Sequence, residues 1–152
     1  MNIITKKLTQ DMIIKRNIQG MFKEHPTCKN SNIVTIQEEN NIELGYAIVT
    51  PQNNFNSEEI FKKNLIGLLE YDKEEYRQLY LKYKDFLNKS SYLNYIEVYK
   101  QNKGFGRILL NYLMKEYKNI YLYSIIESEY FWENNNFIEI SEGDHNYIIS
   151  NQ

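Results

Sequence analysis

The chain has 152 residues, 42% of them hydrophobic, and a formal net charge of −2. This length suits one domain with a real core, and the near-neutral charge lacks the basic signature of a nucleic-acid-binding protein. No apolar run approaches the roughly 20 residues of a membrane span, and the N-terminus lacks a signal-peptide layout. We therefore expect a cytoplasmic protein with no nucleic-acid or membrane partner.

The first fifty residues predict a strand, a helix and a hairpin. The stretch "NIITKKL" has the pattern of a strand, and a helix follows from Thr9, which is a good N-cap residue, and ends before Pro26. Two β-rich runs, residues 33–37 and 42–50, flank the polar turn "EENN" and predict a hairpin.

Residues 52–89 predict two amphipathic helices. Ser57 is the expected cap of the first, and Asp72 with Glu75 forms a capping box at the start of the second. The apolar stripe of the second helix consists of Tyr76, Leu79, Tyr80, Tyr83 and Leu87. We interpret this stripe as core or interface packing rather than a ligand site.

The last third predicts alternating strands and helices. "SYLNYIEVYK" is a strand, "GFGRILLNYLMKEY" a helix and "NIYLYSII" a strand buried on both sides. "SEYFWENNN" is a short helix capped by Ser128, and "FIEI" and "NYIIS" are the closing strands. The whole chain, residues 1–152, therefore predicts one α/β or α+β domain without a linker or an internal repeat.

Two closely spaced glycines begin the helix that follows the fourth strand, in the stretch "QNKGFG" from Gln101 to Gly106. A glycine-rich turn at a helix N-terminus exposes unpaired N–H groups, and it lets a phosphate approach the backbone. Lys103 and Arg107 add positive charge, so the stretch predicts a pyrophosphate cradle. It is not a Walker loop, and Leu109 stands where a dinucleotide fingerprint needs glycine. A plain turn and a general nucleotide-binding module remain alternatives.

The pattern of Gln101, Gly104 and Gly106 resembles the acetyl-CoA motif of the GNAT acetyltransferase superfamily. About 25 residues later, "FWENNNF" (residues 131–137) resembles the family's F-Y-E-K-x-G-F helix. The resemblance implies a GNAT-like mixed, largely antiparallel sheet flanked by helices. Residues 52–89 are then a two-helix insertion between the third and fourth strands.

The resemblance also implies a function, the direct transfer of an acetyl group from acetyl-CoA to a primary amine of a small molecule or a protein. The alternative is a catalytically weak or inactive CoA-binding module that contacts a partner through the inserted helices, and these helices could also form a homodimer. In the family the central strands splay apart, and the cofactor arm bonds to strand backbone. The residues expected to bind CoA are Ile96, Glu97, Val98, Gln101, Asn102, Lys103, Gly104, Phe105, Gly106, Arg107 and Trp132.

The catalytic groups are less evident, because Trp132 replaces the tyrosine that often returns a proton to the CoA thiolate in the family. An indole N–H is a donor that cannot usefully release its proton. We consider Glu97 as the base and Tyr130 or Tyr123 as the acid, with Ser124 as a further group that could reach the thiol.

Two further observations concern ligands. His25 and His145 lack metal-ligand spacing, and Cys28 lacks an activating motif, so we expect no metal and an incidental thiol.

From residue 119 onwards the chain has no Lys or Arg and carries six carboxylates, namely Glu127, Glu129, Glu133, Glu139, Glu142 and Asp144. In the family this end borders the acceptor, so a cationic amine acceptor is expected, with a plain acidic surface as the alternative.

Overall fold

A computed structural model describes residues 1–20 and 30–150. One seven-stranded sheet has the order β1-β2-β3-β4-β5-β7-β6. The strands are β1 (Asn2–Lys7), β2 (Asn32–Gln37), β3 (Glu43–Thr50), β4 (Ser91–Val98), β5 (Asn119–Tyr123), β6 (Ile138–Glu139) and β7 (Asn146–Ser150). The helices are α1 (Gln10–Lys15), α2 (Ser57–Asn64), α3 (Ile66–Tyr71), α4 (Lys73–Asn88), α5 (Phe105–Tyr117) and α6 (Glu129–Asn134), which a 3₁₀ turn (Ile126–Ser128) precedes.

The sheet is antiparallel except where β4 meets β5. That parallel pairing lasts three residues, from Ser91 opposite Ile120 to Leu93 opposite Leu122. Because β4 continues to Val98 while β5 ends at Tyr123, a gap opens between the central strands beyond Leu93. The predicted mixed, largely antiparallel sheet with helices inserted between β3 and β4 is confirmed.

Helices cover both faces of the sheet. On one face α5 and α6 pack against a core that includes Val34, Leu93 and Leu122. On the other face α1 packs over Ile33 and Ile48. The inserted helices extend this second layer with Phe61 and Leu87, packed against Tyr92, Tyr121 and Ile140. The predicted aromatic stripe of α4 surrounds the same cluster, so its interpretation as core packing is confirmed.

Three predicted helix starts or lengths were wrong. The side chain of Asn56, not Ser57, caps α2 by accepting the Glu59 N–H at 3.1 Å, while the Ser57 hydroxyl donates to Asn88 at 2.7 Å. The first inserted helix is broken at Leu65, whose φ and ψ of −117° and 26° are not helical, so the insertion holds three helices. Ser128 makes no capping bond, because the preceding 3₁₀ turn runs directly into α6.

Element lengths also differ from the prediction. α1 ends at Lys15 because Asn17 takes a left-handed φ of 55°, and the predicted end before Pro26, with His25 and Cys28, lies outside the described residues. β5 stops at Tyr123, and β6 contains only two residues. Among the helices that the structure describes, none combines the length and apolarity needed to cross a membrane.

Candidate active site

The two sequence motifs meet in one cavity of about 480 Å³. Its walls are the end of β4, the turn that follows, the first residues of α5, and α6 with the 3₁₀ turn. The lining residues are Ile96, Glu97, Val98, Lys100, Gln101, Asn102, Gly104, Phe105, Gly106, Arg107, Glu127, Ser128, Phe131, Trp132, Asn134 and Asn135. Every residue predicted to bind CoA lines this cavity except Lys103, which is exposed outside it.

The two glycines of the turn have different structural roles. Gly104 precedes α5 with a φ of 78°, a left-handed conformation that glycine adopts without strain. Gly106 lies inside the helix, and a Cβ added there would meet only the Phe131 ring, at an ordinary 3.6 Å. The backbone conformation therefore explains why position 104 is glycine. Neither conformation nor packing explains why position 106 is glycine. A ligand that approaches the helix backbone closely would explain it.

The N-terminus of α5 has the properties of an anion site. No side chain caps it, so its first backbone N–H groups keep their hydrogen-bonding capacity and their partial positive charge. The Gln101 side chain donates to the Val98 carbonyl at 3.2 Å and ties the turn to β4. Arg107 donates to Asn135 at 3.4 Å, remains exposed and places a cation at the rim.

Trp132 forms part of the cavity floor. It is only 5% exposed and packs against Phe131 and Phe137, with ring centroids 4.9 and 5.2 Å away. Its indole N–H is buried and has no hydrogen-bond partner among the described residues. An unpaired buried donor is costly, so a ligand acceptor at this position would be favourable. Six lining residues were not predicted from the sequence, and three of them, Phe131, Asn134 and Asn135, lie within the second motif; the others are Lys100, Glu127 and Ser128.

Glu97 is the candidate base on β4. It is exposed, and its carboxylate accepts a hydrogen bond from the Tyr95 hydroxyl at 3.2 Å. Strand alternation places it with Tyr95 on the face that α1 covers, whereas Ile96 packs towards α5. The sequence left this orientation open.

A second cavity, of about 720 Å³, lies between the inserted helices and the connection from β6 to β7. The α2–α3 junction, the first turn of α4 and the end of β5 complete its walls. Tyr123 lines this cavity and is 45% exposed, whereas Tyr130 is 78% exposed and lines neither cavity. Ser124 is buried, and its hydroxyl donates to the neighbouring Ile125 carbonyl at 2.7 Å. Of the candidate acids, only Tyr123 therefore faces a cavity.

Side chains hold the β6–β7 connection in place. The Glu139 carboxylate accepts the backbone N–H groups of Gly143 and His145 at 3.3 and 2.9 Å. Glu129 pairs with His145 Nδ1, and this contact raises the pKa of the imidazole. Asp144 accepts the Asn146 N–H at 2.9 Å, and burial raises its pKa to about 6.

Three of these side chains have the types of atom that bind metals. Glu129, Glu139 and His145 each bring one such atom within 4.8 Å of the other two. Each already has a partner within the protein, since Glu139 accepts backbone N–H groups and Glu129 faces His145. The cluster therefore has a structural explanation, and the absence of a metal stays a prediction.

Most carboxylates of the acidic third have internal partners. Glu129, Glu139 and Asp144 organise the β6–β7 connection, and Glu133 accepts the Tyr147 hydroxyl at 3.0 Å. Within the described part of this region, only Glu127 and Glu142 lack a hydrogen bond or ion pair. Because hydrogen bonds to neutral groups leave the charges of Glu133 and Glu139 in place, the region keeps its negative charge, and a cationic acceptor stays a prediction.

Comparison with known proteins identifies the fold. No protein-family model and no curated protein sequence matches the chain. A GNAT-family acetyltransferase from Staphylococcus aureus Mu50 matches with a TM-score of 0.51 and 15% identity, over 98% of this chain and 99% of that one. AtaT, in complex with acetyl-methionyl-tRNAfMet, matches with a TM-score of 0.52 and 12% identity, over 98% of this chain and 95% of AtaT. The chain therefore has the GNAT fold.

Proposed function

We propose that this protein is an N-acetyltransferase that moves an acetyl group from acetyl-CoA to a primary amine by direct attack. The observation that supports this most strongly is the first cavity, where the glycine turn, the uncapped start of α5 and the open edge of β4 converge. Neither conformation nor packing requires glycine at position 106, and a ligand that approaches the helix backbone closely would supply a reason. The GNAT fold is consistent with this assignment.

The residues present fit CoA group by group. The backbone N–H groups at the start of α5 would receive the diphosphate, with Arg107 adding charge at the rim. The backbone of residues 96–98 has lost its β5 neighbour and would hydrogen-bond the pantetheine amides. Trp132 also lines the cavity, and because its buried indole N–H has no partner among the described residues, a ligand acceptor that reaches it would be favoured. Bound acetyl-CoA supplies an activated acetyl thioester.

The protein's own contribution is positioning and proton transfer. Tyr123 is the better of the two phenols for returning a proton to the departing sulfur, because it faces a cavity at the end of β5. Glu97 borders the first cavity and is a candidate base. A primary amine of a small molecule or a protein is the proposed acceptor.

The decisive experiment compares Gly106→Ala with Gly67→Ala by calorimetric titration of CoA. Both glycines are helical, and an added Cβ meets no obstacle at Gly67 and an ordinary contact at Gly106. Each variant should fold, with helix stability raised by up to about 1 kcal/mol. We expect Gly106→Ala to weaken CoA binding at least about tenfold, or ~1.4 kcal/mol, and Gly67→Ala to leave it unchanged.

Gly104→Val is a poorer test, since its left-handed φ of 78° would add strain to any binding effect. Equal CoA affinity in the wild type and Gly106→Ala would contradict the proposed cradle. Turnover is then measured with acetyl-CoA on a panel of small amines, Lys peptides and methionyl-tRNA, the last because AtaT binds acetyl-methionyl-tRNAfMet. CoA binding without transfer to any amine would favour the inactive interaction module.

A further inference from the structure

We propose that His145, oriented by Glu129, accepts the proton of the attacking amine in the second cavity. This inference rests on the proposed acetyltransferase function. His145 lines the cavity formed by the inserted helices and the β6–β7 connection, so the inserted helices form one wall of the acceptor site.

The position of His145 relative to the gap in the sheet is the first argument. The backbone N–H of Ser124 donates to the His145 carbonyl at 2.8 Å. Ser124 lies two residues beyond Leu122, where pairing between β4 and β5 ends. At ~3.3 Å per residue, the His145 backbone therefore lies about 7 Å past the last paired rung along the strand direction, and one strand spacing of ~4.8 Å from β5 on its β7 side. The His145 ring also meets the Tyr123 ring edge to face, 6.3 Å between centroids.

The hydrogen bonding of the imidazole is the second argument. Nδ1 faces the Glu129 carboxylate, which fixes the ring and, in the neutral form, places the proton on that nitrogen. Nε2 has no partner among the described residues and is then a free acceptor. The side chain remains 31% exposed, so a substrate can reach it. A carboxylate that holds a histidine in this way is the usual arrangement of a histidine base.

Charged groups surround the imidazole from every adjacent element. Glu129 faces it from α6, Glu139 from β6 and Asp144 from its own connection, and all three raise its pKa. Tyr123 adjoins it from β5. Across the cavity the charged side chains are Lys63 of α2, Glu75 of α4 and Glu142. The imidazole can act as a base only above its raised pKa, so activity should rise as the pH passes through that value.

The protons and bonds of the proposed reaction balance with groups that are present. The neutral amine nitrogen attacks the thioester carbonyl carbon, a C–N bond forms, and one N–H proton passes to Nε2 of His145. The C–S bond breaks with its electron pair on sulfur, which takes a proton from the Tyr123 phenol. The imidazolium then returns its proton to Tyr123 and restores both groups. Glu97 is less suited to accept a proton in the second cavity, because it does not line that cavity and already accepts the Tyr95 hydroxyl.

The test uses His145→Asn, Glu129→Gln and Glu97→Gln, with Glu116→Gln as an equal charge change on the exposed side of α5. Asn is chosen because position 145 has a φ of 63°, which Asn adopts more readily than most residues. Using the best amine of the panel, we expect kcat/KM to fall about 100- to 10,000-fold in His145→Asn. Glu97→Gln should lose less than about tenfold, and Glu116→Gln should match the wild type.

The pKa of His145, measured by proton NMR and compared with the pH dependence of kcat/KM, distinguishes a proton acceptor from a residue that only supports the structure. The chain has two histidines, so the spectrum of His145→Asn assigns both imidazole signals. In Glu129→Gln the pKa of His145 should fall towards ~6.5. The acid limb of the pH profile of kcat/KM should then shift to lower pH with it. An acid limb that stays in place while the NMR pKa moves would overturn the inference. So would retention of more than about a tenth of wild-type kcat/KM in His145→Asn, with the acetyltransferase proposal intact.

If the wild type binds no CoA and acetylates no amine, the proposed function fails independently of His145. The imidazole signal of the wild type is then followed while n-butylamine and 1,4-diaminobutane are added without acetyl-CoA. A specific shift that His25 does not share would support amine binding beside His145. No shift would overturn the acceptor site itself.

Discussion

The two cavities of this protein differ in the groups that line them. The first is made largely of backbone, from the open edge of β4, the glycine turn and the uncapped start of α5. The second is made of side chains from segments far apart in the chain, namely the α2–α3 junction, Tyr123 and the β6–β7 connection.

This difference explains where specificity resides. If the first cavity binds CoA as proposed, its backbone N–H groups would recognise the diphosphate that every CoA molecule carries, which requires only glycines and a helix start. Recognition of a particular acceptor needs particular side chains, and the insertion between β3 and β4 supplies one wall of the second cavity beside the end of β5. The inserted helices are therefore the part of the fold on which acceptor choice should depend.

The strongest way to break the first cavity is Gly45→Ala. A Cβ at Gly45 would lie 2.5 Å from the Glu97 carbonyl oxygen and 2.9 Å from Val98 Cα, both backbone atoms of β4. The strands must separate where β4 borders the cavity, so we expect the free energy of unfolding to fall by about 3 kcal/mol or more. Urea unfolding, with Gly67→Ala as the permissive control, measures the loss. Wild-type stability in Gly45→Ala would show that β3 and β4 are not so closely paired.

A pair of tyrosine variants sharpens the comparison at the second cavity. Tyr123→Phe removes the hydroxyl of a residue that lines the second cavity, and Tyr130→Phe removes one from a residue that is 78% exposed and borders neither cavity. If Tyr123 protonates the departing sulfur, kcat should fall about 100-fold or more in Tyr123→Phe and remain unchanged in Tyr130→Phe. Steady-state kinetics on one amine compares them. The reverse order of effects would assign the acid to Tyr130.

The residues predicted from the two motifs line one cavity because its determinants are local, while their role in CoA binding stays a prediction. Gly104, Gly106 and the "FWENNNF" helix carry their structural consequences within a few residues, and the order of elements followed from periodicity. The second cavity was not predicted, because it depends on contacts between residues 63–75, 123 and 141–145 that only the sheet topology brings together.

His145 illustrates the same limit. In the sequence it is an isolated histidine beside a turn, and its partner Glu129 is sixteen positions away on another element. The acidic third shows a related limit of composition. Composition counts carboxylates without revealing that Glu133 and Glu139 already have partners inside the fold.

The smallest expected effect concerns Glu142, which lines the second cavity together with the charged side chains of Lys63 and Glu75. Glu142 has no hydrogen-bond or ion-pair partner among the described residues, so it can attract a cationic acceptor, but one exposed carboxylate gives only weak steering. We expect Glu142→Gln to lower kcat/KM for a diamine about twofold at low salt. The difference should vanish near physiological ionic strength, where screening acts over about 8 Å. Glu116→Gln controls for net charge. A tenfold, salt-resistant loss would instead show that Glu142 contacts the acceptor directly, making the wall opposite the inserted helices a specificity element as well.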